Sequence, residues 1–344
     1  MSASSNASCY VDHHLAPASS FAVAILLLCS QLAGCNGGSD PPLPQVTTPD
    51  GNTAQHEISS INAFVSESTT GPNFATAQYI DASSGGGLVG DGKTDNSVAL
   101  QTLLGNGNRT IHIPAGDYLT GQFSIPSNTA LLLDSGVIFR NADTSGAALI
   151  TIDTANVYIS GYGAKITGDR SAYPPNEQRY GMLIIGANNV VIDGLESSDN
   201  AGDGFYIGEY QGQPSQNIVL DDCLASNNRR QGLSIVSARN VYVVNCQFQY
   251  TQGAAPGFGI DLEPDQPTQF LDNIEILQPF TQANQGGGIA IYLGKLNANS
   301  YPIDVEILDH LSTSESPPLA TTGSQYVPGT IQYTAATGTA AGGP

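Results

Sequence analysis

Four stretches of the chain line up with one another: NVVIDGLESSDNAGDGFYIG (189–208), NIVLDDCLASNNRRQGLSIV (217–236), NVYVVNCQFQYTQGAAPGFGIDLE (240–263) and NIEILQPFTQANQGGGIAIY (273–292). A partial fifth, DVEIL, starts at Asp304. The second apolar segment of each unit follows Gly204, Gly232, Gly259 or Gly288, at intervals of 28, 27 and 29 residues. Val190/Ile192, Ile218/Leu220, Val241/Val243 and Ile274/Ile276 alternate with their neighbours and share one strand face. Phe205/Ile207, Leu233/Ile235, Ile260/Leu262 and Ile289/Ile291 share a second. One unit cannot bury these rows alone, whereas stacked units bury them as continuous aliphatic ladders. Strands separated by a whole coil run parallel. The expected fold is therefore all-β, a single-stranded parallel β-helix, right-handed because crossovers between parallel strands prefer that hand. A β-sandwich would join its strands through hairpins with tight turns, and the near-constant period fits a solenoid better.

The composition agrees with a folded chain: 344 residues, 40% hydrophobic, 12% charged, with 39 Gly and no Trp. The formal net charge of −20 repels phosphate backbones and anionic lipid, which argues against nucleic acid as a partner. It also disfavours acidic polysaccharides unless a local cationic patch overrides it. The five Cys (Cys9, Cys29, Cys35, Cys223, Cys246) form no CxxC or Cys/His cluster, so no metal site is expected from them. Cys223 and Cys246 occupy the same place in adjacent coils. At the roughly 4.8 Å spacing of neighbouring strands they are expected to stack as buried thiols, with a disulfide as the alternative.

Ahead of the repeats, Phe21 to Cys29 (FAVAILLLC) is nine apolar residues, too short to span a bilayer and suited to a signal peptide. Leu32-Ala33-Gly34-Cys35 follows and resembles a bacterial lipobox. That resemblance implies cleavage before Cys35, a lipid anchor on it, and sorting to the outer membrane because Asn36 comes next. Residues 1–20 contain no Lys or Arg, a departure from the pattern. The expected division is a signal peptide over 1–34, a flexible Pro- and Gly-rich tether over 35–75, the β-helix over 76–311 and a low-complexity tail over 312–344.

Residues 79–140 resemble the start of the pectate lyase superfamily, which also includes polygalacturonase-like and tailspike-like proteins. The motif GDGKTDNSVALQTLL (90–104) carries the likeness, followed by TIHIPAGDYLTG (110–121) and SIPSNTALLLDSGVIF (124–139). The resemblance implies a short capping helix over the first coil. Thr94 or Asp95 would be its N-cap, with Val98, Leu100, Leu103 and Leu104 as apolar anchors. Gly87 to Thr94 also matches the phosphate-loop pattern GxxxxGK[ST]. That loop needs an α/β sheet, which the all-β remainder does not supply, so no nucleotide is expected. The carboxylate motifs of polygalacturonases and the calcium and Arg constellation of pectate lyases are absent. No particular family activity follows from the resemblance.

The residues themselves mark one wall. In the third unit the interval from Asn to Gly is 19 residues (Asn240 to Gly259), against 15 in the others, and the extra residues fall at Ala254 to Phe258. Directly after them comes GIDLEPD. With Ile260 and Leu262 inward, Asp261 and Glu263 point outward, their side chains starting roughly 6.6–7 Å apart. Paired glycosidase carboxyls stand about 5–9.5 Å apart. In the stacked rows Asp261 lies between Ser234 and Ala290, with Tyr206 one coil further. Glu263 lies between Val236 and Tyr292. Asp203, Arg229 and Arg230 belong to the same region. The catalytic candidates are therefore Asp261, Glu263, Asp203 and Arg230, and the substrate-binding candidates Arg229, Tyr206, Tyr292 and Ser234. The alternative for each is a solvated outer face; for Arg230 it is a structural pair with Asp203.

About nine coils at ~4.8 Å make a groove ~43 Å long, enough for several sugar units. The expectation is an extracytoplasmic enzyme acting on a polysaccharide, with no cofactor. The paired acids favour hydrolysis over lyase or epimerase chemistry, in which Arg230 would neutralise a uronate and Tyr206 would take a proton. The alternative is a non-catalytic glycan-binding or adhesive surface lipoprotein. Calcium near Asp199, Asp203 and Asp261 has no recognisable ligand loop to support it.

Overall fold

Each pass of the chain lays down one strand on each of three sheets, here A, B and C. In the computed structural model, which describes residues 46–47, 77–85, 87–142, 146–168, 170–171, 179–323 and 327–336, one such pass is Asn188–Asp193 (A), Glu196–Ser198 (B) and Phe205–Tyr210 (C). The next is Gln213–Asp221, Leu224–Ser226 and Leu233–Ile235. Ala238–Val244, Gln247–Gln249 and Phe258–Leu262 follow, then Leu271–Leu277, Phe280–Gln282 and Gly287–Tyr292. Every strand pairs in parallel with its counterpart one coil away, so the fold is a right-handed parallel β-helix.

The expected rows are in register. Val190, Ile218, Val241, Ile274 and Val305 stack in sheet A. Phe205, Leu233, Ile260 and Ile289 stack in sheet C. All of them are fully buried. Cys223 and Cys246 are buried free thiols, stacked as expected.

Two features hold the coils at this spacing. The first is a column of close approaches at Gly204, Gly232, Gly259 and Gly288. A Cβ on Gly232 would stand 2.5 Å from the Gly259 carbonyl oxygen and 2.9 Å from the Phe248 ring. Only glycine admits the next coil there. The second is an asparagine ladder where sheet A begins. Asn108, Asn128, Asn156, Asn189, Asn217, Asn240 and Asn273 all adopt φ between 50° and 60°. Asn tolerates this left-handed conformation better than other non-glycine residues. Their amides also bond from coil to coil: Asn156 Nδ2 donates to Asn128 Oδ1 at 2.7 Å, and Asn240 Nδ2 to Asn217 Oδ1 at 2.9 Å.

The first coil is capped by the helix Ser97–Leu104, which buries Leu100, Leu103 and Leu104. Val98 is 80% exposed, so it is not an anchor. The N-cap is Asn96 rather than Thr94 or Asp95. Asn96 turns its side chain back to Val89, Thr94 and Leu119, while Asp95 Oδ1 accepts the Ser97 N–H at 2.9 Å. In the stretch that matches a phosphate loop, the Asp91 carboxylate accepts the N–H groups of Lys93 and Thr94 at 2.8 and 2.7 Å. An aspartate thus holds two of the amides that would cradle a phosphate.

The helix extends past the expected boundary at 311. Ile303–Thr313 runs across it, and Leu319–Thr322 and Gly329–Ala335 add further strands within the expected tail. Leu319 pairs with Ile289, and Ile331, fully buried, with Val305. Thr- and Ala-rich sequence hides the alternation here, yet one apolar residue per strand suffices to continue the core. Within the expected tether, Val46–Thr47 pairs in parallel with Ile331 and Gln332. The signal peptide and Cys35 lie outside the described residues. No helix among the described residues is long and apolar enough to cross a membrane.

Candidate active site

On the outer side of sheet C, Tyr206, Ser234, Asp261 and Ala290 form one row across four coils, as their alternation requires. Beside it opens a cleft of about 270 Å³ lined by Tyr180, Tyr206, Arg230, Ser234, Val236, Glu263 and Asp265. Tyr180 and Tyr206 stack at its edge with ring centroids 4.7 Å apart.

The outward row is not a solvated face. Asp203 is fully buried and Asp261 only 2% exposed. Asp203 accepts hydrogen bonds from Ser234 Oγ at 2.8 Å and the Gln231 N–H at 3.1 Å. Arg230 lies 3.2 Å from the Asp203 carboxylate and 3.4 Å from that of Glu263. Burial pushes the Asp203 carboxyl up to about 6 against the opposing pull of Arg230. Burial first, and then the negative charge of Glu263, push Asp261 up to about 8. Tyr206 is raised above its usual range by burial and by the surrounding acids.

Asp261 and Glu263 stand near enough for the charge of Glu263 to help hold the proton on Asp261. The strand ends at Leu262 and Pro264 follows. The two carboxyls form one electrostatic unit, with Asp261 buried and Glu263 on the cleft wall.

The structure thus brings together Asp203, Arg230, Ser234, Tyr206, Asp261 and Glu263. It places two candidates elsewhere. Arg229 turns its guanidinium to the backbone carbonyl of Arg170 and does not line the cleft. Tyr292, 39% exposed, lies against Gly294 and is also outside the lining. Adjacent residues on a bend diverge, which separates Arg229 from Arg230. The lengthened segment after Ala254 stands at the other end of the Asp261 strand and does not line the cleft either. Asp199 is engaged by Lys165 and Asn227, away from Asp203 and Asp261. No group of three or more acids, His or Cys among the described residues is placed to hold a metal.

Three residues of the site escaped the sequence reading: Tyr180, Asp265 and Gln231. Gln231 is fully buried. Its Nε2 donates to Asp261 Oδ2, and its Oε1 accepts the Phe258 N–H. Its signal lay in the alignment, since Asp203, Gln231 and Phe258 all directly precede the conserved-spacing glycines.

Comparison with known proteins places this geometry among β-helices. Residues 123–274 match the family described as "Right handed beta helix region". The uncharacterized protein YclG of Bacillus subtilis is 27% identical over 225 residues, which covers 54% of this chain and 38% of that protein. The mannuronan C5-epimerase AlgE3 of Azotobacter vinelandii is 29% identical over 143 residues, covering 39% of this chain and 7% of that protein. The chain thus spans well under half the length of these relatives. Among solved structures, the tailspike gp49 of Acinetobacter baumannii bacteriophage Fri1, a capsular polysaccharide depolymerase, superimposes with a TM-score of 0.54 at 15% identity, covering 74% of this chain and 48% of that one.

Proposed function

We propose that this right-handed β-helix of the pectate lyase-like kind acts on a polysaccharide, as a glycoside hydrolase. One arrangement carries the reading: two acids, Glu263 and Asp265, line an open cleft, and a buried carboxyl behind them, Asp261, is made to hold its proton by burial and by the charge of Glu263. Glycosidic cleavage needs a proton for the departing oxygen and a carboxylate to activate water. The Asp261–Glu263 unit supplies the proton through Glu263. Asp265, the other carboxylate on the cleft wall, takes the proton of the attacking water. Arg230 keeps Glu263 and Asp203 in place, and the Tyr180–Tyr206 stack offers an aromatic surface to a sugar ring.

Lyase or epimerase chemistry fits less well. Arg230 is already compensated by two acids, and a Tyr206 hydroxyl whose proton is held more tightly than usual is a weak base at neutral pH. The polysaccharide-acting names among the relatives support the substrate class. We further propose that the chain works outside the cytoplasm, anchored through a lipid on Cys35.

The test is an incubation with neutral and acidic polysaccharides, reading new reducing ends and the ultraviolet absorbance of unsaturated uronates together. Reducing ends without absorbance, lowered about 100-fold or more by Glu263→Gln, are the expected result. Absorbance would replace hydrolysis by elimination. Neither signal, with the chain retained on immobilised glycan, would make it a binding protein.

A further inference from the structure

A second recess lies round the corner from the cleft, where sheet C turns into sheet A. It has a volume of about 300 Å³ and is lined by Gly212, Gln213, Pro214, Gln216, Arg239 and Phe270. One wall is a two-residue hairpin in which Glu209 and Tyr210 pair with Pro214 and Gln213, turning at Gln211 and Gly212. The other is a stack: the Arg239 guanidinium lies 3.9 Å from the Phe270 ring centroid, and Phe270 packs on Tyr301 at 4.2 Å. This stack fixes the guanidinium plane. Arg239 Nε, buried and without a hydrogen bond, stands 3.7 Å from the Asp272 carboxylate, so the two Nη groups are the donors that face the recess. A planar donor fork held this way and opening on a recess is arranged for a pair of acceptor oxygens.

The connections that wall the recess are those that leave the cleft. Tyr206 lies on the strand that leads to Gln213 and Gln216, Val236 is followed by Arg239, and Asp265 is followed by Phe270. The two recesses are thus joined by the connecting segments of three successive coils.

We propose that this recess is an accessory sugar-binding subsite, in which Arg239 takes paired oxygens of a saccharide unit beyond the reacting one while the Gln213 and Gln216 amides bond its hydroxyls. The inference rests on the polysaccharide reading above, but not on hydrolysis. Paired oxygens come either from adjacent hydroxyls or from a carboxylate.

Electrophoresis of the full chain through native gels containing galactan, β-glucan, alginate or polygalacturonate tests it. At least one polymer is expected to retard the chain. Arg239→Ala should weaken that retardation about tenfold, and Arg239→Lys should restore it only in part, because the paired donors are lost. A Gln213→Ala/Gln216→Ala variant, which leaves the stack intact, should weaken it by less. Retardation by the neutral polymers identifies hydroxyl pairs, and by the acidic ones a carboxylate. Arg239→Ala migrating as the native chain does, or no polymer retarding the native chain, would overturn the subsite. Retardation that depends on Arg239 without any turnover would uphold it and remove the hydrolase instead.

Discussion

Gln231 Nε2 donates to Asp261 Oδ2 at 2.6 Å while Gln231 Oε1 accepts the Phe258 N–H at 2.7 Å. One buried amide therefore ties a carboxyl to the start of its own strand from the coil below. Gln231→Ala would take this donor from the buried Asp261 Oδ2 and this acceptor from the Phe258 N–H, a loss of about 1–3 kcal/mol. Thermal unfolding should show the destabilisation, and turnover should fall with it because Asp261 loses its orientation. Gln231→Glu should be worse still, since it adds a further carboxyl to those of Glu263 and Asp203 acting on Asp261. A Gln231→Ala variant as stable as the native chain would remove this role.

Asp261 makes stability depend on pH in a definite direction. Its carboxyl holds its proton up to about pH 8 in the folded chain, whereas the unfolded chain releases it at roughly pH 4. Between those values the folded state binds more protons, so stability is lost as pH rises through the window. Asp203 adds to the same trend up to about pH 6. Asp261→Asn should flatten the decline, most visibly between pH 6 and 8, in denaturant titrations. If the proposed hydrolysis holds, the native chain should also lose its acid form, and its rate, above about pH 8. A slope unchanged in Asp261→Asn would show that another group titrates there.

The asparagine ladder predicts a graded series at Asn240, which sits at φ 50° and donates to Asn217. Asn240→Gly keeps the backbone conformation and loses only the side-chain bonds, about 0.5–1.5 kcal/mol. Asn240→Ala adds the strain of a left-handed alanine, roughly 1–2 kcal/mol more. Equal melting temperatures for the two variants would show that the ladder acts through its side chains alone.

At Gly232 a methyl group has nowhere to go. The two neighbours within 3 Å of it, the Gly259 carbonyl and the Phe248 ring, belong to the packed interior. Gly232→Ala should force the two coils apart, cost about 1–3 kcal/mol as overpacking does, and disturb Arg230 and Gln231 next to it. Retained stability together with full turnover would contradict this account.

The architecture was legible because burial of aliphatic side chains in coil after coil imposes a repeat that survives in the residues. Val190 and Ile218, or Leu233 and Ile260, are apolar for a reason that recurs at every rung. The site was legible in part. Alternation placed Tyr206, Ser234 and Asp261 in one row, but it says only which way a side chain leaves the sheet. It does not say what covers that side chain, so the burial of Asp261 and Asp203 was invisible. Arg229 and Arg230 looked like a pair in the sequence and part company on a bend. Tyr180 reaches the cleft from a coil outside the aligned units, and Gln231 carries no charge to draw attention. The C-terminal strands were missed because Thr and Ala satisfy the ladder without advertising the alternation.

The longer segment between Gln249 and Phe258 leaves the rows undisturbed, with Ile260 still opposite Leu233 and Ile289. Extra residues are absorbed in the bend from sheet B to sheet C, and the strands on either side keep their phase. A bend that takes up four extra residues without shifting either strand lets the surface contour vary from coil to coil while every interior rung keeps its place.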